Sequence, residues 1–261
     1  MTLTSNISNV NLPVIIGAMG GSGTRVVARI LRAAGIFVGS NLNEAEDAME
    51  FVEFYDRWIN RYTLRERVPL CTEEERIMAK DFQACVARHR LGIPAYDAPW
   101  GWKEPRSHYL LPFFLSRYPK MKFVHLVRDG RDMAFSSNQN QLRKHGDAVL
   151  EPALRNAPQP VRSASLWAKI NLTIASVGEA QMAERYFLMS FEELCVKPRE
   201  TGLRLMHFLG YSNVNLDAIT ALVAPPASIG RWKRIADQNL LEAVSVQADA
   251  CLRKFGYLPA V

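Results

Sequence analysis

Val14-Ile15-Ile16-Gly17-Ala18-Met19-Gly20-Gly21-Ser22-Gly23-Thr24-Arg25 decides how this chain is read. Apolar residues end in a run of small ones, and Val26-Val27-Ala28-Arg29-Ile30-Leu31 follows with helical spacing. That pattern predicts a buried strand, a tight loop and the first turn of a helix. Three glycines within four residues permit backbone angles that side chains forbid. The free N–H groups of the following helix, together with its dipole, make a seat for an anion, and Thr24 adds a hydroxyl donor. The competing reading is a βα turn that uses glycine only for tightness.

The kind of phosphate loop matters more. The nucleotide-kinase pattern needs a lysine before the hydroxyl, and Gly23 stands there before Thr24. That lysine holds the β and γ phosphates, so a kinase or GTPase is disfavoured at its main residue. The dinucleotide pattern also fails, because Gly21-Ser22-Gly23 leads into Thr24-Arg25-Val26.

With 261 residues and 48% hydrophobic composition, the chain suits one α/β domain, expected over residues 12–261. No apolar run reaches the ~18 residues of a membrane span. Met1 to Asn11 is polar and uncharged, unlike a secretory signal, and reads as a flexible arm. Cys71, Cys85, Cys195 and Cys251 are scattered, which argues against a zinc site or disulfide framework and fits a reducing cytoplasm. A net charge of +6 suits an anionic ligand; the basic residues are dispersed, which disfavours nucleic acid.

Along the chain, Met49, Val52, Tyr55 and Ile59 predict a helix from about Asn43 to Tyr62, and Thr72 to Arg90 predicts another. Residues 43–100 thus read as a helical insertion, either the wall of an acceptor site or a purely structural pair. Lys122-Phe123-Val124-His125-Leu126-Val127 is the clearest strand. A helix is expected from about Asp132 to Leu142, then a proline-bearing loop from Arg143 to Pro160. Strands alternating with helices imply a mostly parallel central sheet flanked by helices on both faces. Ligands bind such sheets beyond the carboxyl ends of the strands, where both Gly17–Thr24 and Arg128–Asp132 fall. Arg128, Asp129, Arg131 and Asp132 read either as a guanidinium fork for phosphate or as a solvated ion-pair cluster.

Ser22-Gly23-Thr24 resembles the 5′-phosphosulfate loop of sulfotransferases that use 3′-phosphoadenosine 5′-phosphosulfate (PAPS). Val127-Arg128-Asp129-Gly130-Arg131-Asp132 resembles their 3′-phosphate segment, and Ser136 follows Arg128 by eight positions as in that family. Lys103-Glu104-Pro105 with Leu110-Leu111-Pro112, then Phe191-Glu192-Glu193-Leu194 with Phe208-Leu209-Gly210, resemble further family segments. Ile229-Gly230-Arg231-Trp232-Lys233 resembles the late loop that folds over the nucleotide. All occur in the family's order. The resemblance implies a three-layer P-loop-like fold and transfer of a sulfuryl group from PAPS to a hydroxyl or amine, without a metal. The acceptor, whether small molecule, saccharide or peptide, is not named by the sequence.

The resemblance also assigns roles. Gly20, Gly21, Ser22, Gly23, Thr24 and Arg25 would hold the 5′-phosphosulfate; Arg128 and Ser136 the 3′-phosphate; Phe191 the adenine. Gly230, Arg231 and Trp232 would cover the nucleotide. Gly21 departs from the pattern, since the family carries a lysine or arginine there, and Lys103 is expected to compensate, with Arg25 and Arg106 as the alternatives. Pro105 replaces the histidine base of the cytosolic branch, so a carboxylate after the loop is expected instead. Glu44 is the first candidate and Asp47 the second, although both also suit an acidic first turn of a helix. His108 and His125 read as packing residues. The missing cation also admits a rival, a module that binds PAPS or adenosine 3′,5′-bisphosphate without turnover.

Overall fold

The apolar run Val14–Ala18 is strand β1, buried along its whole length. The computed structural model describes residues 12–259, so the arm expected over residues 1–11 lies outside them. After β1 come α1 (Thr24–Ala33), α2 (Val52–Thr63), α3 (Thr72–Arg90) and β2 (Gly101–Lys103). Next are α4 (Leu111–Arg117), β3 (Lys122–Val127), α5 (Gly130–Ala134), α6 (Asn140–Val149), α7 (Gln159–Gln181) and β4 (Tyr186–Ser190). The chain ends with α8 (Phe191–Val196), α9 (Pro198–Leu209), α10 (Leu216–Ala221) and α11 (Gln238–Lys254).

The four strands form one parallel sheet in the order β2-β1-β3-β4. Side chains alternate between its faces. Ile15, Trp102 and Phe123 pack into one core, and Val14, Ile16, Val124 and Leu126 into the other. Helices therefore cover both faces, as the strand–helix alternation requires. Ile16 is level with Lys103 and Val124, and Val127 with Ser190, so the chain leaves all four strands at one edge.

The three-residue strand β2 is fixed by its aromatic neighbours. Trp102 stacks on Phe51 at 4.7 Å between centroids and meets Phe114 edge-on at 5.5 Å. Its indole N–H also donates to the Tyr55 hydroxyl at 3.1 Å. Such ring pairs add about 0.5–1.5 kcal/mol each beyond the area they bury.

Two helix boundaries differ from expectation. Residues 43–48 form a tight turn rather than the start of a helix. Asn43 accepts the Asp47 backbone N–H at 2.9 Å through Oδ1 and the Glu46 N–H at 2.8 Å through its carbonyl. Glu46 sits at φ 63°, a conformation costing a non-glycine residue roughly 1–2 kcal/mol. Its carboxylate is held by Arg29 at 2.6 Å and by Arg32. Asn–acid side chains favour such turns over helix interiors. The acidic run here therefore makes a turn, and the helix waits until Val52.

The helix expected over 132–142 is broken instead. It stops at Ala134 and resumes at Asn140, and α6 then runs through the segment read as a loop, as far as Val149. The buried Gln139 amide donates to the carbonyls of Met133 at 3.1 Å and Ser136 at 2.8 Å, holding the break open. Leu142, His145, Gly146 and Val149 then give α6 its buried face.

Candidate active site

Beyond the carboxyl edge of β1, Met19–Gly23 turns tightly before α1. Gly21 and Gly23 adopt φ 93° and 94°, the left-handed region where glycine is favoured. At Gly23 a second reason applies, because an added Cβ would lie 2.2 Å from the Phe191 ring. Ser22 and Thr24 are buried. Gly20, Gly21, Gly23, Thr24 and the exposed Arg25 line a cleft of about 740 Å³.

Arg128 lies behind this loop and is 4% exposed. Its Nη1 donates to the Gly21 carbonyl at 3.3 Å, and its Nη2 to Asp132 at 3.3 Å and to Ser228 Oγ at 3.0 Å. Its Nε is buried without a partner among the described residues. Ser136 Oγ lies 3.9 Å from where a Gly21 Cβ would stand. Gly21, Arg128 and Ser136 thus converge, although Arg128 and Ser136 stand behind the loop and not on the cleft wall.

The acidic–basic cluster around Arg128 is buried rather than solvated. Arg131 pairs with Asp129 at 2.8 Å and stacks over Trp232 at 3.8 Å. Asp132, 1% exposed, accepts the backbone N–H of Gly230 at 2.8 Å and of Trp232 at 3.2 Å. One carboxylate therefore fastens the late loop beside Arg128. Burial, and then the facing Arg128 guanidinium, pull Arg231 below its ordinary pKa. The role of Asp132 escaped sequence reasoning, although its position one helical turn after Arg128 was a usable signal.

Lys103, at the end of β2, is 1% exposed yet reaches the cleft. Its Nζ donates to Asp47 Oδ1 and to the Ala45 carbonyl, both at 2.5 Å. The turn sits there because the Ala48 N–H donates to the Lys103 carbonyl at 2.8 Å. Burial lowers the Lys103 pKa, opposed by the Asp47 carboxylate. Asp47 lines the cleft, whereas Glu44 is exposed and does not.

Behind them Glu104, 4% exposed, accepts from Arg106 Nε at 2.8 Å and from its backbone N–H at 2.7 Å. Burial raises the Glu104 pKa against the pull of Arg106. Arg106 continues to Asp56, which Lys144 reaches at 2.6 Å. Sequence reasoning held Arg106 only as a spare cation and missed this chain of charges. The bases of that chain lie far apart in sequence. Phe191 touches the cleft but is 3% exposed, with its ring against Gly23.

A donor-rich glycine loop, with a guanidinium N–H behind it that has no partner among the described residues, suits an anionic group. Among the described residues no helix is long and apolar enough to cross a membrane. Residues 13–214 match the profile described as the sulfotransferase family. No curated protein sequence matches the chain. Among solved structures, sulfotransferase STF1 of Mycobacterium tuberculosis H37Rv superimposes with a TM-score of 0.53 at 13% identity, over 92% of this chain and 76% of that one. The sulfotransferase domain of the Synechococcus PCC 7002 olefin synthase gives 0.50 at 18%, over 91% and 94%. Retinol dehydratase, solved with androsterone and the inactive cofactor PAP, gives 0.51 at 15%, over 95% and 84%. At these identities the likeness shows the fold.

Proposed function

The chain belongs to the sulfotransferase family, and we propose that its cleft moves the sulfuryl group of PAPS to a hydroxyl or amine, with Lys103 and Asp47 at the reacting centre. The family uses PAPS, and sulfuryl transfer is the chemistry the fold serves. PAPS supplies a sulfuryl group already joined to a good leaving group, the 5′-phosphate. The observation that carries the assignment is the convergence of Arg128, with its unpartnered Nε, on the loop that opens beside Lys103.

In this reading the amides of Gly20–Thr24 and the Thr24 hydroxyl hold the 5′-phosphate. Arg128 exchanges its Ser228 contact for the 3′-phosphate, and Ser136 adds a neutral donor. Gly230–Trp232, fastened by Asp132, cover that end, with Arg231 as a second cation. A bond forms from the acceptor oxygen or nitrogen to sulfur as the bond from sulfur to the bridging phosphate oxygen breaks. The acceptor's proton passes to Asp47, worth about 10²–10⁴-fold for a well-placed base. The negative charge left on the phosphate is met by Lys103 and the loop amides. Asp47 is preferred to Glu44 because it lines the cleft and touches Lys103. Turning Lys103 toward the leaving oxygen frees the carboxylate for the proton.

The test follows release of adenosine 3′,5′-bisphosphate from PAPS across a panel of hydroxyl and amine acceptors. Calorimetry with the same bisphosphate, AMP and ADP accompanies it. Acceptor-dependent release and a clear preference for the bisphosphate are expected. Equal affinity for the three nucleotides would remove the 3′-phosphate assignment, and absence of release with every acceptor would remove the reaction.

A further inference from the structure

Gly21 presents no side chain to the cleft, and its φ of 93° disfavours one. Two side-chain donors from the break between α5 and α6 face that side, Ser136 Oγ, 3.9 Å from a Gly21 Cβ, and Asn138 Nδ2. An added Cβ would lie 3.5 Å from Asn138 Nδ2 if built on Gly20, and 4.0 Å if built on Gly21. Asn138 lines the same cleft as Lys103. Its Oδ1 accepts the Asn140 backbone N–H at 3.3 Å. A backbone N–H can only donate, so this contact assigns the oxygen and turns the NH₂ toward the glycine loop. No acceptor within the described residues takes that NH₂.

The neighbouring Gln141 amide is already engaged through both its nitrogen and its oxygen. Gln141 donates to the Ala18 carbonyl at 3.2 Å and accepts from Tyr109 at 3.5 Å. Gln139 points inward to the carbonyls of the break, and its three bonds hold that segment in place. Asn138 is thus an exposed donor with no partner among the described residues, beside the two glycines whose lack of side chains leaves room for an anion.

Resting on the sulfuryl-transfer reading above, we propose that the Asn138 carboxamide donates to the oxygens of the transferring sulfuryl group. It takes the place beside Gly21 where a side chain of the loop would otherwise act. Its neutral N–H is a weaker partner than a cation, since charge-assisted bonds are roughly twice as strong. This position acts by placing and polarising the sulfuryl group, and Lys103 carries the charge.

Calorimetry without acceptor separates the sulfuryl group from the rest of the nucleotide, because PAPS contains it and adenosine 3′,5′-bisphosphate does not. For Asn138→Ala, PAPS affinity should fall about tenfold while bisphosphate affinity changes less than about twofold. Asn138→Asp keeps the oxygen that receives the Asn140 N–H and removes the donor, so its ratio of PAPS to bisphosphate affinity should fall further. It carries the test if the alanine variant fails to fold. An unchanged ratio in the folded variants would overturn the role of Asn138 and leave the nucleotide reading standing. A parent protein that binds neither ligand would overturn both.

Discussion

The two ends of the cleft are built differently. The end we assign to the nucleotide is a set of short segments, each leaving a strand at the same edge: Met19–Gly23 after β1, Arg128 after β3, Phe191 after β4. Its contacts are largely backbone amides and one guanidinium. The end we assign to the acceptor is a chain of charges, buried at Lys103, Glu104 and Arg106, half-buried at Asp47 and exposed at Asp56, drawn from the 43–48 turn, α2 and the end of β2. The first end is laid out by the strand ends, with the Gly230–Trp232 loop fastened beside it by Asp132; the second needs the 43–48 turn and α2 packed against the end of β2. Binding should therefore be separable from chemistry by mutation.

The largest effect should test that separation. Lys103→Met should lower turnover by about 10²–10³-fold, the cost of removing one donor to developing charge, with bisphosphate affinity nearly unchanged by calorimetry. A turnover equal to the parent's would move the charge to Arg25 or Arg106. Arg128→Ala attacks the other end, weakening adenosine 3′,5′-bisphosphate by about 1.5–3 kcal/mol and AMP far less. Ser136→Ala should cost less than Arg128→Ala. A loss equal for both nucleotides would deny the 3′-phosphate role.

Acid should loosen the fold at its buried imidazoles. His108 is held down to about 3 and His125 and His145 to about 4, all chiefly by burial, and burial also lowers His89. These rings stay neutral in the fold while the unfolded chain takes protons below about 6.5. Their contribution is complete above that pH and is lost as pH falls toward the folded values. Thermal melts should thus shift downward between pH 7 and pH 5, and a flat profile would show that these rings take up protons within the fold. The smallest effect is expected at the exposed Glu44, where alanine should leave turnover within about twofold, as for surface positions in general. Asp47→Asn in the same assay should be far slower; the reverse order would return Glu44 to the centre.

The segments at the strand ends that we assign to the nucleotide were legible in the sequence because they follow apolar runs and use residues with narrow conformational meaning. Val14–Thr24 and Lys122–Asp132 needed only apolar runs, glycines and a guanidinium. The acceptor end was less so. Asn43–Asp47 has the composition of an acidic helix start, but Asn43 diverts two backbone N–H groups into a turn, which sets Asp47 on Lys103. The break at 135–139 was hidden for a similar reason, since it depends on one buried glutamine amide folding back on its own segment. Local propensity cannot report a bond whose value comes from burial.

β1 lies between β2 and β3, and its nearest strand partner in sequence begins only at Gly101. During synthesis Val14–Ala18 emerges long before anything can pair with it. At about 5–20 residues per second, β3 follows roughly 5–20 s later. Pairings of such separation are slow to close and leave an apolar segment open to wrong partners meanwhile. In the fold the glycine loop packs on the Phe191 ring and its Gly21 carbonyl accepts from Arg128 after β3, so its contacts are complete only when both have been made. The part of the chain that would grip the phosphate is made first and finished last, so nucleotide added to a refolding reaction should act only on its late phase.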